Sequence, residues 1–144
     1  MKKIHYVLLL ALDSASKQVV GLTKLKGPSF LINKISFPGG KVDDGETSRV
    51  AASREMFEET GVQIDQANWT FLHSEHAEDY HLDVFMVDDS RVLGARTQEQ
   101  EPIHILDIDF HLKNRQRQPG IYAPDFALHL SRAMRVIGLE PSMT

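Results

Sequence analysis

A chain of 144 residues, 42% apolar and 25% charged, has the balance of one soluble globular domain able to bury most of the surface it would expose unfolded. Its net charge of −4 argues against nucleic acid as the main partner, because phosphate-backbone binding shows as a basic excess; small polyphosphates, which arrive with their own metal ions, stay open. With no cysteine there is no disulfide framework, no thiolate nucleophile and no Cys-based zinc site.

Met1-Lys2-Lys3 followed by the apolar run Ile4–Leu12 imitates a signal peptide, with Ser14-Ala15-Ser16 as a small-residue cleavage stretch. The run is too short to cross a membrane and contains His5 and Tyr6. A retained, buried strand fits it better, with a cytoplasmic location and no membrane partner as the expectation. Gln18–Leu25 then pairs with it as a hairpin across a polar turn. Gly27-Pro28-Ser29 breaks the chain, and Phe30–Lys34 is a short, partly apolar stretch. Phe37-Pro38-Gly39-Gly40-Lys41-Val42 joins a strand or loop to the turn Asp43-Asp44-Gly45. The two glycines let backbone approach a ligand closely, and the Gly40 carbonyl is a candidate metal ligand.

A helix follows. Thr47 or Ser48 stands where a helix is capped and Gly61 where one ends, with about thirteen residues of mostly good helix formers between them. At roughly 100° per residue, Glu55, Glu58 and Glu59 share one stripe, and Val50, Met56 and Phe57 lie on the opposite arc, expected to face a core. Three carboxylates so close repel one another by a few tenths of a kcal/mol per pair. A hard divalent cation is the natural compensation, since Mg²⁺ takes oxygen ligands and keeps waters for phosphate substrates.

Trp69–His76 and His81–Val87 read as antiparallel strands, Asp88–Glu101 as a loop ending in an acidic run, and Ile103–Ile108 as a further strand. His111–Gln118 is polar and basic and reads as a connection. Pro124 begins a last helix bearing Phe126, Leu128, Leu130, Ala133, Met134 and Ile137, which stops at Gly138. Hairpins, a central helix, more strands and a terminal helix describe an α/β domain over residues 1–144, a mixed sheet packed between helices. The His73–His76 spacing suits neither one face of a strand nor a zinc pattern, so His73, His76 and His81 read as polar strand ends. Trp69, Phe71 and Phe85 read as core.

The stretch Gly40–Val62, GKVDDGETSRVAASREMFEETGV, resembles the Nudix box G-x5-E-x7-R-E-U-x-E-E-x-G-U, with Met56 and Val62 at the aliphatic U positions. It matches every defined position, and a chance match of the fixed ones is on the order of one in 10⁸ per start site. The resemblance implies an α/β/α sandwich and a hydrolase that cleaves a nucleoside diphosphate linked to another moiety. It implies that Glu55, Glu58 and Glu59, with the Gly40 carbonyl, hold Mg²⁺, for which Mn²⁺ can substitute. Arg54 would position these carboxylates, and Glu46 would pair with Arg54 or fix the loop. Gly39 and Lys41 would meet the phosphates. A late loop often supplies one further carboxylate as metal ligand or general base, and Glu99 and Glu101 are the candidates, with Glu101 carried forward. A compact chain resembles the MutT-type members, which turn a nucleoside triphosphate into monophosphate and pyrophosphate. The alternatives are a dinucleoside polyphosphate or nucleotide-sugar hydrolase. A non-catalytic, nucleotide-sensing domain is a reading of another class, and the four intact box glutamates speak against it. Base preference and oligomeric state, a homodimer included, are not set by the sequence.

Overall fold

The first strand decides the architecture, because it is apolar on both sides. In the computed structural model, which describes residues 3–139, β1 (Ile4–Asp13) buries Val7, Leu9 and Ala11 in one cluster and Leu10 and Leu12 in another. A strand buried on both faces needs a layer on each side. Its neighbours are β2 (Gln18–Thr23), which is antiparallel; β4 (Gly39–Lys41), also antiparallel; and β6 (Tyr80–Asp88), which is parallel. The sheet runs β3 (Ile35–Ser36), β2, β1, β6, β5 (Thr70–His76), with β4 added on β1 and β7 (Ile103–Asp107) on β2. The fold is a mixed seven-stranded α/β sheet, and its N-terminal run is a central strand. No helix among the described residues is long and apolar enough to cross a membrane.

One face is covered by α1 (Ser48–Thr60), whose Ala51, Ala52 and Met56 pack on Val7, Leu9, Val20, Phe85 and Val87. The other carries α3 (Phe126–Val136), whose Phe126, Leu130, Ala133 and Met134 pack on Leu10, Leu12, Val84 and Met86. The larger of these, Met56, Phe126, Leu130 and Met134, each contribute about 1.5–3 kcal/mol on burial. The Thr47 hydroxyl caps α1 by accepting from the Val50 N–H at 3.2 Å, and Gly61 ends it in the left-handed region with φ 79°. Only glycine adopts that conformation without strain.

Three expectations are corrected. The stretch expected as a polar connection is the helix α2 (Ile108–Arg117). Asp107 caps it by accepting from the Phe110 N–H at 2.8 Å, and Ile108 and Leu112 anchor it to the core, leaving a polar face that hides the helix in a hydrophobicity pattern. On α1, Val50 and Phe57 are 39% and 49% exposed rather than core-facing. The buried stripe runs through Ala51, Ala52, Met56 and Thr60, where the two alanines let the helix lie close to the sheet and leave Val50 and Phe57 on the flanks. Phe71 is likewise half-exposed, on the outermost strand β5 beside a bulge at Phe71/His73, whereas Trp69 and Phe85 are buried as expected.

Candidate active site

The carboxylates of α1 meet the glycine strand β4. Pairing of Val7 with Gly40 and Leu8 with Gly39 lays β4 along β1, against the acidic stripe of the helix. A Cβ on Gly40 would stand 2.4 Å from the Glu55 carboxyl carbon, and one on Gly39 would stand 2.2 Å from the Val7 carbonyl oxygen. Gly39 abuts backbone and has no room for a side chain, whereas one at Gly40 would have to displace the Glu55 carboxyl. The Gly39 N–H donates to Glu59 at 3.3 Å, tying strand to helix.

Arg54 is the hub. Its Nε and Nη2 donate to the two oxygens of Glu46, each at 2.8 Å, a bidentate fork that Lys could not make. Nη2 also donates to the Lys41 carbonyl at 2.8 Å, and Nη1 to Glu55 at 2.9 Å and Glu58 at 3.3 Å. Hydrogen bonding to Arg54 holds the Glu46 carboxyl down at about 2, and Glu46 in turn accepts from the Asp43 N–H. The turn before α1 is thereby fastened to the helix.

One guanidinium cannot neutralise the rest. Burial pushes Glu59 up to about 8, and the negative charges of Glu55 and Glu101 add to the push. Burial likewise raises Glu55, against the pull of Arg54 and with help from Glu58 and Glu99. A pair of half-buried carboxylates with raised affinity for protons is a pair that would gain from a cation. With the Gly40 cradle beside them, the oxygen-only donor set of Glu55, Glu58, Glu59 and the Gly40 carbonyl fits a hard divalent ion such as Mg²⁺.

The family can be read from residues 6–117, which match the model described as NUDIX domain. The chain belongs to the Nudix family. Curated protein sequences contain no match to it. Among solved structures, this Nudix hydrolase is similar to an ADP compounds hydrolase at 15% identity, with a TM-score of 0.72 over 95% of this chain and 74% of that one. It is similar to a MutT NUDIX hydrolase from Burkholderia pseudomallei at 17% identity and TM-score 0.69, over 92% and 98% of the two chains. A MutT/nudix family protein from Enterococcus faecalis aligns at 21% identity and TM-score 0.62 over 74% of this chain, which spans 44% of that protein. Identities so low show a shared fold.

Within this Nudix domain the residues singled out from sequence fall in three settings. Gly39, Gly40, Arg54, Glu55, Glu58 and Glu59 converge as described. Lys41 sits on the exposed edge of β4, opposite Tyr6. Glu101 accepts from the backbone N–H groups of Leu25 at 2.7 Å and Lys26 at 3.1 Å and pairs with Lys24 at 3.4 Å. It pins the loop after β2 while its charge acts on Glu59, and Glu99 stays exposed. The Leu25 and Lys26 amides carry no signature in sequence and were not foreseeable as its partners. The histidines separate by face. His73 lies near the buried His129, whereas His81 stacks with both His5 and His76. The register that brings His5 to His81 is a parallel pairing between distant segments, which no local pattern announces.

Proposed function

We propose that this Nudix hydrolase converts a nucleoside triphosphate to monophosphate and pyrophosphate, with Mg²⁺ as cofactor and Mn²⁺ as its substitute. The observation that carries the reading is that Arg54 holds Glu55 and Glu58 while Glu59 accepts from the Gly39 N–H, which brings the acidic face of α1 against the glycine strand β4. A divalent ion held by these carboxylates and the Gly40 carbonyl would supply charge neutralisation at the phosphates and a more acidic water. The chain's own residues do the remainder. Arg54 holds Glu55 and Glu58 in place, and Glu46 and the Lys41 carbonyl fix Arg54. The glycine strand runs beside these carboxylates with no side chains of its own at Gly39 and Gly40, and the exposed Lys41 next to them meets the charge of the phosphate chain. A helix carboxylate accepts the proton of the attacking water, with Glu101 as the additional carboxylate of the site.

The likeness to MutT-type proteins favours attack at an internal phosphorus. A nucleoside diphosphate joined to another group, as in an ADP compound, is the second reading, in keeping with the structural neighbour of that name. A screen of nucleoside triphosphates, dinucleoside polyphosphates and nucleotide sugars with Mg²⁺, scoring released products, separates the two. Turnover confined to triphosphates is expected. Turnover confined to nucleotide sugars or dinucleotides would replace the first reading with the second, and no turnover with any metal would favour a sensing domain.

A further inference from the structure

The second polar cluster of this sheet shares no residue with the box. Parallel pairing of β1 with β6 sets His5 opposite His81, and antiparallel pairing of β5 with β6 sets Ser74 opposite Asp83 and His76 opposite His81. His5 and His81 stack with centroids 4.2 Å apart and planes 3° from parallel, and His76 stacks on His81 at 4.1 Å. Parallel rings deliver both Nε2 atoms to one carboxylate. His5 Nε2 lies 2.7 Å from Asp83 Oδ2, and His81 Nε2 lies 2.9 Å from Asp83 Oδ1. The Ser74 hydroxyl donates to Oδ1 at 2.9 Å. Asp83 is buried, while the imidazoles keep about a third of their surface open, 32% for His5 and 29% for His81.

We propose that His5, His81 and Asp83 form a second cation site, selective for a borderline transition-metal ion such as Zn²⁺. One ligand atom from each of the three lies within 4.8 Å of the others. Two imidazole nitrogens and one carboxylate suit Zn²⁺, Ni²⁺ or Cu²⁺, whereas the oxygen-only box suits Mg²⁺, so the two sites sort their metals by chemistry. Tetrahedral Zn²⁺ with bonds of about 2.0–2.1 Å places its ligand atoms roughly 3.3 Å apart. The present separations of 2.7 and 2.9 Å are those of hydrogen bonds, so the ion takes the place of the shared protons after the groups part by about half an ångström. Each imidazole then binds through Nε2 as the neutral ring with its proton on Nδ1, and any further proton goes to solvent. Ser74 orients the carboxylate from outside, the usual place of such a hydroxyl. The half-exposed imidazoles leave a route for the ion and a fourth position for water. Burial alone would raise the Asp83 carboxyl, yet hydrogen bonds from His5 and Ser74 and the nearby imidazoles hold it low, keeping an anion ready at the buried end.

The test uses the full chain in excess Mg²⁺, titrated with Zn²⁺ by calorimetry and with Co²⁺ by visible absorption. One equivalent of Zn²⁺ is expected to bind, and Tm to rise by about 5–10 °C when free Zn²⁺ stands roughly 100-fold above Kd. His5→Gln and His81→Gln should each weaken binding by about 100-fold and Ser74→Ala by about 10-fold, while Glu58→Gln leaves it unchanged. Absence of Zn²⁺ binding would overturn the proposal. So would binding that survives both histidine changes and disappears in Glu58→Gln, which would put the ion in the box. Should the histidine variants fail to fold, the wild-type Co²⁺ spectrum decides alone. Intense tetrahedral bands support the site, and weak octahedral bands of an all-oxygen shell refute it.

Discussion

Glu59→Gln probes the electrostatic state of the box in the absence of metal. In the native protein burial lifts the Glu59 carboxyl from its ordinary 4.5 to about 8. The sign follows from which state holds the proton more tightly. Between those two values the folded chain keeps a proton that the unfolded chain has lost, so rising pH favours unfolding. The difference is complete above the folded value and absent below 4.5. A gap of about 3.5 units corresponds to roughly 5 kcal/mol, an upper bound because side-chain motion and water relieve part of it. Glutamine keeps the shape and the acceptor for the Gly39 N–H but cannot ionise. Its removal of charge also relieves Glu55. In EDTA, Glu59→Gln should therefore gain stability over wild type by a few kcal/mol at pH 9 relative to pH 5. The readout is the double difference from urea unfolding of both proteins at both pH values. A difference independent of pH would refute the reasoning, because it would mean that Glu59 ionises in the folded protein as it does in water.

Other outcomes follow from the same geometry. With Glu59 lifted to about 8, Mg²⁺ binding at pH 7 should expel close to one proton per site, measured by calorimetry in buffers of different ionisation heat; binding without proton release would contradict it. Gly40→Ala should lower kcat by about 100-fold or more with the fold kept, since the new methyl meets the movable Glu55 carboxyl; Gly39→Ala meets backbone and should cost about 1–3 kcal/mol of stability in denaturant unfolding. Arg54→Lys should lower kcat by about 10-fold or more, because Lys lacks the fork that Glu46 receives, and Glu46 should titrate nearer its ordinary value by NMR. Glu101→Gln should reduce kcat by about 10-fold or more while Glu99→Gln stays near wild type in steady-state kinetics; an effect on KM alone would make Glu101 a binding residue.

The parts legible in the sequence were those carried by local chemistry. Thr47 and Gly61 bound α1 because capping and the left-handed conformation are properties of single residues. The spacing of Glu55, Glu58 and Glu59 likewise needs only helical geometry. What depended on distant segments was hidden. The α2 helix is anchored by just Ile108 and Leu112, too few to outweigh Lys113, Arg115, Gln116 and Arg117 in a pattern. Phe57 lies on the arc opposite the glutamates and was expected in the core, yet the closeness of Ala52 and Met56 to the sheet decides which arc is covered. His5 belongs to the apolar N-terminal run by sequence and to the Asp83 cluster by pairing. Glu101 was identifiable as an acidic loop residue, but the amides of Leu25 and Lys26 that hold it were not.

Hydrolysis of a nucleoside triphosphate in ¹⁸O-water, with Mg²⁺ and no added pyrophosphatase, tests the central claim most directly. Nucleoside monophosphate and pyrophosphate are the expected products, with one ¹⁸O in one of the two; its place identifies the attacked phosphorus as α or β. Nucleoside diphosphate and labelled orthophosphate, released directly, would contradict the account.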